Sequence, residues 1–166
     1  MQEFLIALAI AGAATQPNAS PSPKLGGPIT KQETRYIQEL RTTLKAFQND
    51  TTRFSGMVNG TYSRKNPAEL EKMEEAFHSL QKGDRAIQAM SVPPRIKLEH
   101  NCLIKGCDLI VQGASVFFGA YRTGVQPKDA QKPLSEASML FTSGYRELSA
   151  ANDKIAAWLK KPEMKK

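Results

Sequence analysis

The stretch Ile37-Gln-Glu-Leu40-Arg-Thr-Thr-Leu44-Lys-Ala-Phe47-Gln-Asn-Asp-Thr51-Thr-Arg-Phe54-Ser-Gly-Met-Val58 decides the fold. Its seam positions, Thr51 among them, recur at alternating steps of three and four, which holds one stripe on one side of an α-helix for about three heptads. A half-buried strand would alternate at every second residue instead. Just ahead, Thr30-Lys-Gln-Glu33 has the form of a capping box, with Thr30 accepting from the backbone and Glu33 reaching back. Asn59-Gly60 closes the segment with a pair suited to the left-handed conformation.

Three further segments repeat the pattern. The second opens at Asn66-Pro67-Ala-Glu69, where Asn66 caps, Pro67 takes the first helical position and Glu69 favours the positive end of the dipole. Its stripe is Leu70, Met73, Phe77, Leu80, Asp84, Ile87; the charged Asp84 is expected near a bundle end, within reach of water. Val92-Pro93-Pro94 stops this helix and starts the next. The third stripe is Ile96, His100, Leu103, Cys107, Ile110, Ala114, Phe117 and Tyr121, broadened by Leu109, Val116 and Phe118, and ended by Gly124 and Pro127. The fourth, from about Asp129, reads Leu134, Ala137, Phe141, Gly144, Leu148, Ala151, Ile155, Trp158. Small residues recur seven apart on both: Gly106, Gly113 and Ala120 on the third, Ala137, Gly144 and Ala151 on the fourth.

Four matched stripes joined by short connections predict an all-α fold, an up-down-up-down antiparallel four-helix bundle over residues 30–161, left-handed because the repeat is 3.5 residues. Each helix is expected to run ~33 to 42 Å at 1.5 Å per residue. The two small-residue ridges are expected to face each other, making the third and fourth helices the closest pair.

Outside the bundle, residues 1–15 hold the apolar block Phe4 to Ala14, with small residues at Ala11 and Ala13 in an A-x-A cleavage pattern. That is the layout of a secretory signal peptide, although Met1-Gln2-Glu3 carries no basic residue. Residues 16–29 contain Pro17, Pro21, Pro23 and Pro28 among Asn, Ser and Gly and read as an extended linker. Residues 162–166 form a basic tail. The expectation is an extracytoplasmic protein, secreted or associated with the cell surface.

Charge sharpens this. The 23 Lys and Arg exceed the 16 Asp and Glu by 7, but residues 154 to 166 alone carry Lys154, Lys160, Lys161, Lys165 and Lys166 against Glu163. The folded part is nearly balanced, and aromatics make up only 7% of the chain, which argues against a nucleic-acid partner. The tail either keeps the protein soluble or draws it to an anionic wall or membrane surface. No uninterrupted apolar run approaches the ~20 residues of a membrane-spanning helix.

Reactive chemistry is sparse. The chain lacks G-x-S-x-G, H-E-x-x-H, a phosphate loop and a dinucleotide glycine pattern. Glu75-Ala-Phe-His78 is a single Glu-x-x-His where a di-iron bundle requires two. His78 reads as surface. His100 is expected half-buried near the Pro-Pro end, hydrogen-bonded to Asp84 or Glu99; the competing reading is a haem or metal ligand. Cys102 and Cys107 stand about 140° apart around one helix, which forbids a strain-free disulfide between them and leaves reduced thiols or intermolecular pairing through Cys102.

The segment Met90-Ser-Val-Pro-Pro-Arg-Ile-Lys-Leu-Glu-His100, followed by Leu103, Gly106, Gly113, Ala137, Gly144, Leu148 and Ala151, resembles a loose set of exported or membrane-anchored helical-bundle proteins of Gram-positive bacteria. The resemblance covers roughly residues 31 to 159. It implies a signal sequence or lipid anchor, a variable linker and a bundle whose function is unassigned. This chain departs from the set in having no lipobox Cys and no basic residue before the apolar block.

Two functions are expected from these features. The first is a non-catalytic, extracytoplasmic interaction module, without a cofactor, that binds a protein or anionic envelope component, the basic tail serving peripheral membrane or cell-wall association. The second is a small-ligand, haem or metal carrier using the bundle interior near His100. In either case the residues of interest are His100, Gly106, Cys107, Gly113 and Gly144, which either pack backbones closely or line a cavity.

Overall fold

The computed structural model describes residues 29–59, 67–123 and 127–159, the side chains of residues 59, 127–130, 157 and 158 excepted. The leader-like segment 1–15, nearly all of the linker, the basic tail, the Asn66 cap, Gly60, Gly124 and the side chain of Trp158 lie outside that description. Among the described residues the fold is all-α: α1 (Lys31–Asn59), α2 (Pro67–Gln88), α3 (Lys97–Arg122) and α4 (Pro127–Leu159), with a single 3-10 turn, Pro94–Ile96, leading into α3.

The starts follow from the sequence. Thr30 N–H donates to Glu33 Oε2 at 2.8 Å and Glu33 N–H donates to Thr30 Oγ1 at 3.2 Å, so both halves of the capping box are formed. Pro67 and Pro127 each occupy a first helical position, where the missing N–H costs nothing. Pro133 lies inside α4, a position the sequence reading passed over.

The stripes converge on a continuous core. Phe47, Phe54, Met73, Leu80, Ile87, Leu103, Cys107, Ile110 and Ala114 are all within 1% of complete burial. α1 packs on α2, α2 on α3, and α3 most extensively on α4, the order of an up-down-up-down four-helix bundle. Leu134 departs from its stripe: one turn before Ala137 it is 43% exposed. Asp84 departs in the other direction, being 6% exposed rather than bathed in water at a bundle end.

By length and composition the stretch Pro94–Arg122 is apolar enough to cross a membrane, although Lys105 and Asp108 interrupt its apolar run. In the fold it is the central helix, sharing its buried face between α2 and α4.

Candidate functional site

Close packing of α3 on α4 is built from the two ridges. A Cβ added to Gly106 would stand 2.9 Å from the Gly144 carbonyl oxygen and 2.7 Å from Leu148 Cγ. One added to Gly144 would stand 2.7 Å from both the Gly106 carbonyl oxygen and Ile110 Cγ1. Seven residues on in α3 and seven back in α4, a Cβ on Gly113 would lie 3.0 Å from the Ala137 carbonyl oxygen. Backbone meets backbone along this line, and Lys105 Nζ adds an ion pair to Glu147 at 2.7 Å. The ridge glycines therefore sit in a solid contact, and Cys107 beside them is fully buried, its thiol held protonated by burial and by the charges of Asp84 and Asp108.

His100 is 2% exposed, deeper than the half-burial expected of it, and its partner is neither Asp84 nor Glu99. Its Nδ1 lies 2.8 Å from the Tyr36 hydroxyl of α1, with the two rings edge to face at 5.8 Å. Burial lowers the His100 pKa, the backbone of Ile87 partly opposing. Around this pair, buried polar groups stand among the apolar cluster of Ile37, Leu40, Met90, Ile96, Leu103 and Ile155. Glu99 is buried beside Tyr36 and, after burial itself, raises the phenol pKa. Glu33, 4% exposed, receives the Arg95 guanidinium at 2.9 Å. The missed signals were Tyr36, one position off its stripe, and Arg95, directly after the proline pair.

The single Glu-x-x-His is solvent-facing. His78 stands 3.9 Å from Glu74 and 3.2 Å from Gln81, and Glu75 pairs with Arg53 at 3.4 Å, so the lone Glu-x-x-His is an exposed helix surface. Both cysteines are free, Cys102 partly buried. No set of three or more His, Cys, Asp or Glu is placed to hold a metal ion among the described residues.

Open space lies elsewhere. α1 and α4 approach less closely than the other neighbouring helices, because large side chains stand between their backbones: Phe54 meets Phe141 at a ring distance of 6.4 Å, and Tyr145 hydrogen-bonds Ser55. One level further along, this seam opens into a groove of about 300 Å³. Leu44 and Phe47 of α1, Leu103 and Ile110 of α3, and Leu148 of α4 supply its apolar lining, with the exposed Gln48, Ser149 and Asn152 among its polar residues. Thr51 also faces it, but its hydroxyl is engaged with the Phe47 carbonyl at 2.8 Å. None of the lining residues is charged. The groove was not legible in the stripes, which place α1 and α4 against each other like any other pair.

No family model, no curated protein and no solved structure matches this chain.

Proposed function

We propose that this protein is a non-catalytic, extracytoplasmic interaction module, exported by its N-terminal segment, whose recognition surface is the groove between α1 and α4. The observation that carries the reading is the contrast between the two seams of α4. Against α3 the backbones touch; against α1 a groove of about 300 Å³ is lined by the partly buried Leu44, Tyr145 and Leu148 and by the buried Phe47, Leu103 and Ile110. The leader-like block Phe4 to Ala14 and the Pro-rich linker support export. The partner is a polypeptide that inserts uncharged apolar side chains and hydrogen-bonds the amides of Gln48 and Asn152 and the hydroxyl of Ser149, since no charge in the lining would select an ionic group. Envelope attraction through the basic tail belongs to the same proposal and concerns delivery, not the groove.

Support for a carrier near His100 is weak. The ridge glycines leave no room beside them, and His100 Nδ1 is engaged with Tyr36.

A photo-crosslinking residue placed at Ser149 in cells of the source organism tests the reading, with the same residue at the exposed Glu71 as control. A discrete protein adduct from position 149 and none from position 71 is expected. Adducts to lipid alone, or identical patterns from both positions, contradict it. A reporter fused after residue 30 that stays in the cytoplasm contradicts the export half.

A further inference from the structure

Asp84 takes a seam position on α2 between Leu80 and Ile87, where an apolar residue belongs, and is 6% exposed. Asp108 stands next to Cys107 on α3, half-buried. One nitrogen touches both carboxyls: Gln88 Nε2 donates to Asp84 Oδ2 at 2.8 Å and to Asp108 Oδ1 at 3.0 Å. The two acids therefore meet across the α2–α3 seam within the reach of a single amide. Asp84 Oδ1 is buried and no protein N–H or O–H donates to it.

Counting donors shows what is missing. The Gln88 amide nitrogen has two hydrogens, and both are directed to these carboxyls, leaving Asp84 Oδ1 without one. Two ionised carboxylates at this separation also repel, and Asp84, which is buried, keeps a charge only at the cost of desolvation. A single proton held between them removes the repulsion and turns it into a carboxyl–carboxylate hydrogen bond.

We propose that Asp84 and Asp108 form a proton-operated latch on the α2–α3 seam: with one proton shared, the two carboxyls hydrogen-bond across the seam and draw the helices together; with both ionised, they push this part of the seam apart. The proton resides on Asp84, whose pKa burial raises to about 6, with the Asp108 charge adding to the rise. Gln88 and the neighbouring Arg85 of α2 act against the rise without cancelling it. Cys107 of α3 contributes no charge, because its thiol stays protonated, and the α1 residue at this level is Phe47, packed on Gly83. The latch is independent of the proposed function and needs no partner.

The sense of the device runs against ordinary acid denaturation. A carboxyl raised in the folded state contributes stability that is present at low pH and is lost as pH rises through its folded pKa. His100 works in the opposite sense over a neighbouring window, so the readout is the difference between the native chain and Asp84→Asn, which keeps the shape of the side chain and removes the charge.

Thermal unfolding of the full chain and of Asp84→Asn, from about pH 5 to about pH 7.5, carries the test. The native chain is expected to lose about 3 to 5 °C of Tm relative to the variant over that interval, converted at about 2 to 4 °C per kcal/mol for a chain of this size. Parallel Tm profiles overturn the proposal. Should Asp84→Asn fail to fold, carbon-13 titration of the aspartate carboxyls in the native chain decides: one carboxyl titrating near 6, its shift mirrored at Asp108, upholds the latch. Titration of every aspartate in the ordinary range near 3.9 overturns it.

Discussion

The Tyr36 hydroxyl lies 2.8 Å from His100 Nδ1 and ties α1 to α3 inside the bundle, close to the Pro93-Pro94 turn. Burial, reinforced by Glu99, keeps the phenol protonated, and burial keeps the imidazole neutral. With the phenol as donor, Nδ1 accepts, and the single N–H of the neutral imidazole is on Nε2. Tyr36→Phe removes the donor and leaves a buried ring nitrogen unpaired. A loss of about 1–3 kcal/mol in denaturant unfolding at neutral pH is expected.

The same ring gives a pH dependence of definite sign. Because the folded His100 pKa lies below its ordinary 6.5, the unfolded chain binds more protons, and the stability from this residue is present above that value and lost as pH falls through it. In the Asp84→Asn variant, where the opposing carboxyl is silent, denaturant unfolding should show stability declining as pH is lowered below about 6.5. A flat profile there would mean that His100 is protonated inside the fold.

Glu33 serves two helices at once. It caps α1 through the Thr30 N–H and receives Arg95 from the turn before α3. Glu33→Ala breaks the cap and leaves the guanidinium without this carboxylate, so a loss of about 1–2 kcal/mol is expected. Hydrogen exchange should accelerate first in the opening turn of α1 and at residues 94–97.

Glycines off the ridge should respond in the opposite direction to those on it. A Cβ at Gly56 or Gly119 meets no atom within 4 Å. Both lie inside helices, so Gly56→Ala and Gly119→Ala should each raise stability by about 0.5–1 kcal/mol, read as a higher denaturation midpoint with an unchanged slope. Gly106→Ala and Gly144→Ala should lower it.

Periodicity made the helices and most of the core legible. Ile37, Leu40, Phe47 and Phe54 on α1 and Met73, Phe77, Leu80 and Ile87 on α2 are all buried where their spacing placed them. The small-residue repeats likewise pointed to the α3–α4 contact. Relations between distant residues were not legible. Tyr36 and His100 are 64 positions apart, and nothing local to either names the other. Asp84 read as a tolerated charge near water because its companion Asp108 lies off the stripe, one position past Cys107. The α1–α4 groove depends on how far Phe54, Phe141 and Tyr145 hold two backbones apart, a length that a repeat of three and four does not encode.

The central claim is that the α3–α4 interior is solid and that open space lies in the outer seam. Thermal and denaturant unfolding of Gly113→Leu tests it most directly, because even the first added carbon would stand 3.0 Å from the Ala137 carbonyl oxygen and 3.2 Å from Leu140 Cβ. The account predicts a loss of about 1–3 kcal/mol as the pair is forced apart. An unchanged or raised stability would show that the side chain had filled an empty interior, and would contradict the account.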